Sequence, residues 1–129
     1  MIDVSIVVAV FNEEESLPPL CEQLDRVMRG LGKRYEIILV DDGSRDRSWE
    51  VMLEMAARHP CLRLIRFRRN FGQTPALAAG FDAAEGEVVV TLDADLQNDP
   101  ADIPMLLDHI AGGVDVVSGW RKDRQDRFL

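Results

Sequence analysis

The sequence predicts an α/β domain of Rossmann-like type: a mostly parallel sheet with helices on both faces. Three observations predict it. Short β-branched apolar runs alternate with longer stretches of helical period along the whole chain. The first run, Val4 to Val10, has the apolar character of a strand buried on both faces, as parallel strands are. The conspicuous polar groups then fall just after the apolar runs, where the carboxyl ends of parallel strands leave a crevice for ligands.

Each element follows in order. After the Val4 to Val10 strand, Glu13 to Leu31 carries Leu17, Leu20, Leu24, Val27, Met28 and Leu31 at a helical period, with Gly30 and Gly32 to end it. Glu14 and Glu15 are expected to favour its amino end through the helix dipole. Glu36 to Val40 is the second strand. Asp46 to Arg58 is the second helix, with Trp49, Met52, Leu53 and Ala56 on one side. Ser44 or Asp46 is its candidate cap and His59-Pro60 its stop. Leu62 to Phe67 is the third strand, half-exposed because Arg63 and Arg66 interrupt it. Thr74 to Ala84 is the third helix, with Pro75 in its first turn. Gly72 and Gly80 are expected where backbones approach closely. Glu87 to Leu92 is the fourth strand. Asp99 is expected to cap a fourth helix, Ala101 to Ile110, closed by Gly112-Gly113. Val114 to Ser118 is the fifth strand.

Composition narrows the function. The chain has 129 residues, enough for one domain, and a net charge of −8, which argues against nucleic acid as a partner. Two basic clusters stand out against that balance: Arg58, Arg63, Arg66, Arg68 and Arg69, and then Arg121, Lys122, Arg124 and Arg127. Cys21 and Cys61 lack metal-ligand spacing and read as free thiols, in keeping with a reducing compartment. Met1-Ile2-Asp3 carries no basic leader, and no apolar run approaches the ~20 residues of a membrane span. His59 and His109 read as surface residues, and Trp49 as core.

The chemistry concentrates on one stretch, Val88-Val89-Val90-Thr91-Leu92-Asp93-Ala94-Asp95-Leu96-Gln97. Residues i and i+2 of an extended strand share a face, so Asp93 and Asp95 can converge just past the strand's end. Two anionic oxygens there suit a hard divalent cation, and through it a diphosphate. The same rim carries Phe11-Asn12-Glu13-Glu14, Asp41-Asp42-Gly43-Ser44, Arg68-Arg69-Asn70-Phe71-Gly72 and Gly119-Trp120-Arg121. If the rim is a site, Asp42 and Asp95 must open into one hollow.

Ala9-Val10-Phe11-Asn12-Glu13, Asp41-Asp42-Gly43-Ser44 and Asp93-Ala94-Asp95-Leu96-Gln97, in that order and spacing, resemble the family 2 glycosyltransferases of the GT-A fold. Gln97 and the Arg69-Asn70-x-Gly72 turn narrow the resemblance to the polyprenyl-phosphate group. That group includes dolichol-phosphate mannose synthases and bacterial undecaprenyl-phosphate sugar transferases. The resemblance implies a nucleotide-sugar pocket of Ala9, Phe11 and Glu13, with Asp42 accepting a hydrogen bond from the base ring N–H and Val40 beside it. It implies that Asp93 and Asp95 bind Mg²⁺ or Mn²⁺ and the ribose-diphosphate. Gln97 then lies near the sugar or diphosphate, and Arg121 near the diphosphate or the acceptor phosphate. The chain departs from the family pattern at Phe11, commonly Tyr, and at Ala9, commonly Pro.

The expected reaction is inverting transfer of a sugar from a UDP- or GDP-linked donor to a polyprenyl phosphate, with Asp95 and Arg121 as the catalytic groups. A phosphate monoester acceptor, with a second pKa of about 6, needs no strong base. The resemblance also implies that 1–129 is the N-terminal, nucleotide-sugar-binding part of a longer catalytic domain. Its acceptor side and any membrane segments would lie beyond 129, at the cytoplasmic face of the membrane. An uncovered fifth strand would then invite pairing with a second copy. Two rivals remain. A family 2 enzyme extending a polysaccharide would use a hydroxyl acceptor. A phospho-receiver module, a signalling domain of similar length, would need its acid pair after the first strand.

Overall fold

The structure is a computed structural model describing residues 1–109 and the backbone of 116–118. Five parallel strands form one sheet in the order β3-β2-β1-β4-β5: β1 Val4–Val10, β2 Tyr35–Asp41, β3 Leu62–Arg66, β4 Val88–Asp93 and β5 Val116–Ser118. The helices are α1 Leu17–Gly30, α2 Ser48–Arg58, α3 Gln73–Ala83 and α4 Ile103–His109, the last entered through a 3-10 turn at Pro100–Asp102. The chain direction reverses its march across the sheet between β3 and β4, so β1 lies between β2 and β4. That is the doubly wound order with a switch point at β1; a phospho-receiver would instead pair β1 with β2 and β3.

Strand periodicity sorts the core into two layers. Ile6, Val8, Val10, Ile37, Leu39, Val90 and Leu92 face α1, α2 and α4, where they meet Leu17, Leu20, Leu24, Met28, Met52, Met55, Ile103 and Leu106. Val7, Ile38 and Val40 face α3 and meet Ala76. Among the described residues α3 alone covers that second face, and it lies close because Gly80 has no side chain. A Cβ there would fall 2.3 Å from Val7 Cγ1.

Several expectations need correction. The first helix starts at Leu17, not Glu13, because Glu13 to Ser16 form a turn in which Ser16 N and Leu17 N both donate to Glu13 O at 3.1 Å. Its first turn therefore contains no acid, and Glu14 serves the neighbouring loop instead: its N–H donates to Asp46 Oδ2 at 3.3 Å. The N-cap of α2 is Arg47, not Asp46 or Ser44: Asp46, one residue earlier, accepts from Ser48 N at 2.8 Å, while Ser44 Oγ is drawn away to Asn12 N at 2.9 Å. Asp99 caps the 3-10 turn through Ala101 N. Gly72 is required by its φ of +111° and not by close approach.

His59 is not a surface residue. Its side chain is 11% exposed, and Nδ1 donates to Asp25 Oδ2 at 2.6 Å. Asp25, buried on α1, also accepts from Arg29 Nη2 at 2.6 Å and from the Tyr35 hydroxyl, with Cys61 Sγ 3.8 Å away. Burial alone would raise the Asp25 pKa, but the bonds from Tyr35, Arg29 and His59 outweigh it and bring it down to about 2. Glu36 is handled alike on the other face, accepting from Ser5 Oγ at 2.6 Å, Arg63 Nη1 at 2.7 Å and Glu85 N at 2.7 Å. Both thiols are free; burial pushes Cys21 up to about 12 and Cys61 up to about 11.

Candidate functional site

The carboxyl ends of β1, β2 and β4 surround a cavity of about 370 Å³. Ala9, Phe11, Glu13, Asp42, Asp93 and Asp95 all line it, so Asp42 and Asp95 do share one hollow. Asn70 and Gly72, from the β3–α3 loop expected on this rim, join them, as does Gln73 at the start of α3, which sequence reasoning did not place there. Phe11 is 41% exposed at the mouth.

Each side chain is positioned by an identifiable local cause. The chain leaves β1 through Asn12, whose φ of 55° is held because Asn12 Oδ1 accepts from Arg45 N at 2.8 Å and its N–H reaches Ser44 Oγ. This stitches the β1 and β2 loops together. Asp42 is 4% exposed, and its carboxylate accepts from Asn70 Nδ2 at 2.9 Å, Phe71 N at 2.7 Å and Gly72 N at 3.0 Å. Asp42 thus shapes the β3–α3 loop that forms the opposite wall. Gly43 completes the junction: with φ +70°, its backbone presses on the next loop so closely that a Cβ would fall 2.3 Å from Arg69 C.

The acid pair sits on a tight turn. Asn98, 5% exposed, accepts from Asp93 N at 2.8 Å, and Leu96 adopts φ 66°, a left-handed conformation costly for a bulky residue. Asp95 Oδ1 accepts from Gln97 N at 3.2 Å, and Gln73 Nε2 reaches across the cavity to Asp93 Oδ1 at 3.4 Å. The cavity is electrostatically acidic. Glu13 is pushed above its ordinary pKa first by burial and further by the charges of Asp95, Asp46 and Asp93, against a lowering bond from Ser16.

Two expected nucleotide contacts fall elsewhere. Val40 is fully buried in the α3-facing core, because its place on β2 turns it away from the cleft. Gln97 is exposed and is absent from the cavity lining; only its N–H bonds to the acid pair. Arg121 and Trp120 lie outside the described residues.

The donor set fits a hard divalent cation. Asp93 and Asp95 present carboxylate oxygens to a polar cleft, and Glu13 adds a third acid to its lining. Among the described residues no three ligating side chains cluster closely enough to enclose an ion. An ion there would complete its shell with water and phosphate oxygens, as Mg²⁺ and Mn²⁺ sites at nucleotides do.

Residues 5–128 match the model of the glycosyl transferase family 2. The chain belongs to that family. The fold agrees: the GT-A mannosyltransferase PcManGT from Pyrobaculum calidifontis, solved with GDP-Man and Mn²⁺, superposes with a TM-score of 0.71 at 25% identity, over 88% of this chain and 35% of that one. Glucosyl-3-phosphoglycerate synthase from Mycobacterium tuberculosis has the same fold, with a TM-score of 0.69 at 23% identity over 87% of this chain and 42% of that one. In sequence, the undecaprenyl-phosphate 4-deoxy-4-formamido-L-arabinose transferase of Pectobacterium carotovorum is 53% identical over 98% of this chain and 39% of its own length. The enzyme of the same name from Pseudomonas paraeruginosa is 48% identical over 95% of this chain and 37% of its own length. The chain thus spans about two fifths of the length of these relatives. Among the described residues, no helix is long and apolar enough to cross a membrane.

Proposed function

We propose that this chain supplies the donor-binding part of an inverting glycosyltransferase that moves a sugar from a nucleoside diphosphate onto a polyprenyl phosphate. The carrying observation is that Ala9, Phe11, Glu13, Asp42, Asp93 and Asp95, from three different strand ends, line one acidic cavity. Two names support the acceptor and the sugar: the relatives at 53% and 48% identity transfer 4-deoxy-4-formamido-L-arabinose to undecaprenyl phosphate. The GDP-Man and Mn²⁺ of the Pyrobaculum enzyme support a nucleotide-sugar donor and a divalent ion.

The chain's own residues divide the work. Phe11 offers an aromatic face to the base or ribose at the cavity mouth. Asp42 holds the loop carrying Asn70 and Gly72 against the donor and keeps carboxylate lone pairs for a base N–H. Asn98 fixes the backbone of Asp93, and so the spacing of the acid pair. A divalent ion held by Asp93 and Asp95 would act as a Lewis acid toward the departing diphosphate. An ionised lipid phosphate then attacks the anomeric carbon from the face opposite the leaving group, which inverts the centre without a strong base. Arg121, from the segment after β5, is the proposed cation for the diphosphate or the acceptor. The full-length enzyme is proposed to work at the cytoplasmic face of the membrane, where such a lipid is reached.

The test is thermal shift of this chain with UDP, GDP and their sugars, with and without Mn²⁺ or Mg²⁺. A ligand bound only by the folded state raises the melting temperature. Metal-dependent stabilisation by one diphosphate is expected. The full-length enzyme, given radiolabelled donors and undecaprenyl phosphate, is expected to make a lipid-linked product, with the 4-formamido-arabinose donor best. Absence of both effects would overturn the reading.

A further inference from the structure

A second hollow, of about 390 Å³, opens next to the acidic cavity and shares no lining residue with it. It is formed by Gly43, Ser44, Arg66, Phe67 and Arg68. The wall between the two is the contact of Gly43 with Arg69 and Asn70. Asp42 and Asn70 face the acidic side, while Gly43 and Arg68 face the other. Two neighbouring hollows in one molecule therefore carry opposite charge, in a chain whose net charge is −8.

The basic hollow is built rather than accidental. Arg66 and Arg68 sit two positions apart where β3 runs out, an arrangement that sends alternate side chains to the same side. The Arg66 guanidinium lies 5.0 Å above the Trp49 ring, with Nε 3.9 Å from Asp41 Oδ2, too far for a hydrogen bond. Among the described residues neither guanidinium donates a hydrogen bond, and Arg68 makes no ion pair. Asp41 is one carboxylate against two guanidinium groups, and it is only 1% exposed. Its Oδ1 is taken by Ser44 N at 3.0 Å, which fixes the turn at the hollow's rim. Ser44 Oγ accepts from Asn12 N, so the hydroxyl proton remains to be donated.

We propose that this hollow is a second anion site, taking a phosphate group between Arg66 and Arg68 with the Ser44 hydroxyl as a further donor. Two planar guanidinium forks and a hydroxyl match the three terminal oxygens of a phosphate monoester, and the forks alone match the two of a diester. The phosphate reaches the site either free in solution or on the headgroup of an anionic phospholipid. The site does not depend on the transferase reading, since it shares no residue with the acid pair.

The structure supplies its own reporter, because Arg66 rests on Trp49. Trp120 is the second tryptophan of the chain and is replaced by phenylalanine so that Trp49 alone is read. In EDTA, inorganic phosphate titrated against chloride at constant ionic strength is expected to change Trp49 emission saturably. Arg68→Gln, an exposed substitution, is expected to weaken that response about tenfold or more, as loss of a charge-assisted contact does. Arg66→Lys keeps the charge but loses the fork and is expected to weaken it as well. Asp95→Ala leaves it unchanged. In a second arm, phosphatidylcholine vesicles with and without phosphatidylglycerol are floated with the protein. A response to phosphate that Arg68→Gln weakens supports a site for free phosphate. Flotation only with phosphatidylglycerol, weakened by the same change, supports a headgroup. No response in either arm, a response indifferent to Arg68→Gln and Arg66→Lys, or one abolished by Asp95→Ala overturns the proposal.

Discussion

At the amino ends of β2 and β3, Asp25 and Glu36 are buried and each accepts from at least three donors. At the carboxyl ends, Glu13, Asp93 and Asp95 turn toward a cavity, where Ser16 Oγ, Gln73 Nε2 and Gln97 N donate to them and their like charges oppose one another. The first pair binds the protein to itself: its pKa values are lowered, against burial, by fixed partners. The second set is arranged so that Glu13 rises instead. The difference separates carboxylates that stabilise the fold from carboxylates left open to a ligand, although both are acids beside a parallel sheet.

The largest expected effect breaks the site end. Asp95→Ala should weaken the binding of nucleoside diphosphate with Mn²⁺ about a hundredfold, because it removes half of the acid pair. Isothermal calorimetry measures the loss, and urea unfolding should show little change in stability. At the other end, Asp25→Ala should destabilise the fold by about 3 kcal/mol in urea, since it leaves the Tyr35 hydroxyl and the buried His59 ring without their acceptor. Nucleotide affinity should be unchanged.

An intermediate effect is expected at Asn98, which serves the acid pair from a buried position. Asn98→Ala should cost about 1 kcal/mol of stability through the lost bond to Asp93 N and weaken Mn²⁺ about tenfold; Asn98→Asp, which keeps an acceptor, should restore most of both.

Acid should separate the two ends as well. The Asp25 pKa falls from 3.8 to about 2 on folding, so its stabilisation is complete above the unfolded value and is lost as pH drops from about 4 to about 2. Glu36 shifts in the same direction. Glu13 has the opposite sign: its folded pKa is raised, so its ionisation disfavours the fold at neutral pH, and this cost disappears below its unfolded value of 4.5. Glu13→Gln should therefore raise the melting temperature slightly at pH 7 and not at pH 4, in scans without metal. That is the smallest of the effects.

Most of the site was legible because its residues lie beside strong strand signals. Asp93 and Asp95 follow an uninterrupted β-branched run, and Asp42 follows another, so their common edge could be read from order alone. Asn70 and Gly72 were read as a turn on that rim and no more, because their place in the wall is decided by a carboxylate 28 and 30 residues earlier in the chain; Gln73, the first residue of α3, follows from that placement. Local sequence carries no trace of that bond. Val40 was misplaced for a simpler reason: the alternation of β2 turns Val40 to the core under α3, whereas neighbouring Asp42 follows the strand's end into a loop. His59 misled because the end of a helix before Pro60 ordinarily faces solvent. The available signal was Asp25, one acid set among Cys21, Leu24 and Met28 on the buried stripe of α1. A lone acid in that stripe requires a partner from elsewhere.

The contact of Gly43 with the Arg69–Asn70 peptide also limits how such domains can be recombined. A chimaera that imports residues 67–73 from another transferase would carry a backbone fitted to a different neighbour, with no room for even a methyl group of mismatch. Segments 41–44 and 67–73 must be transplanted together, as a lock is moved with its key.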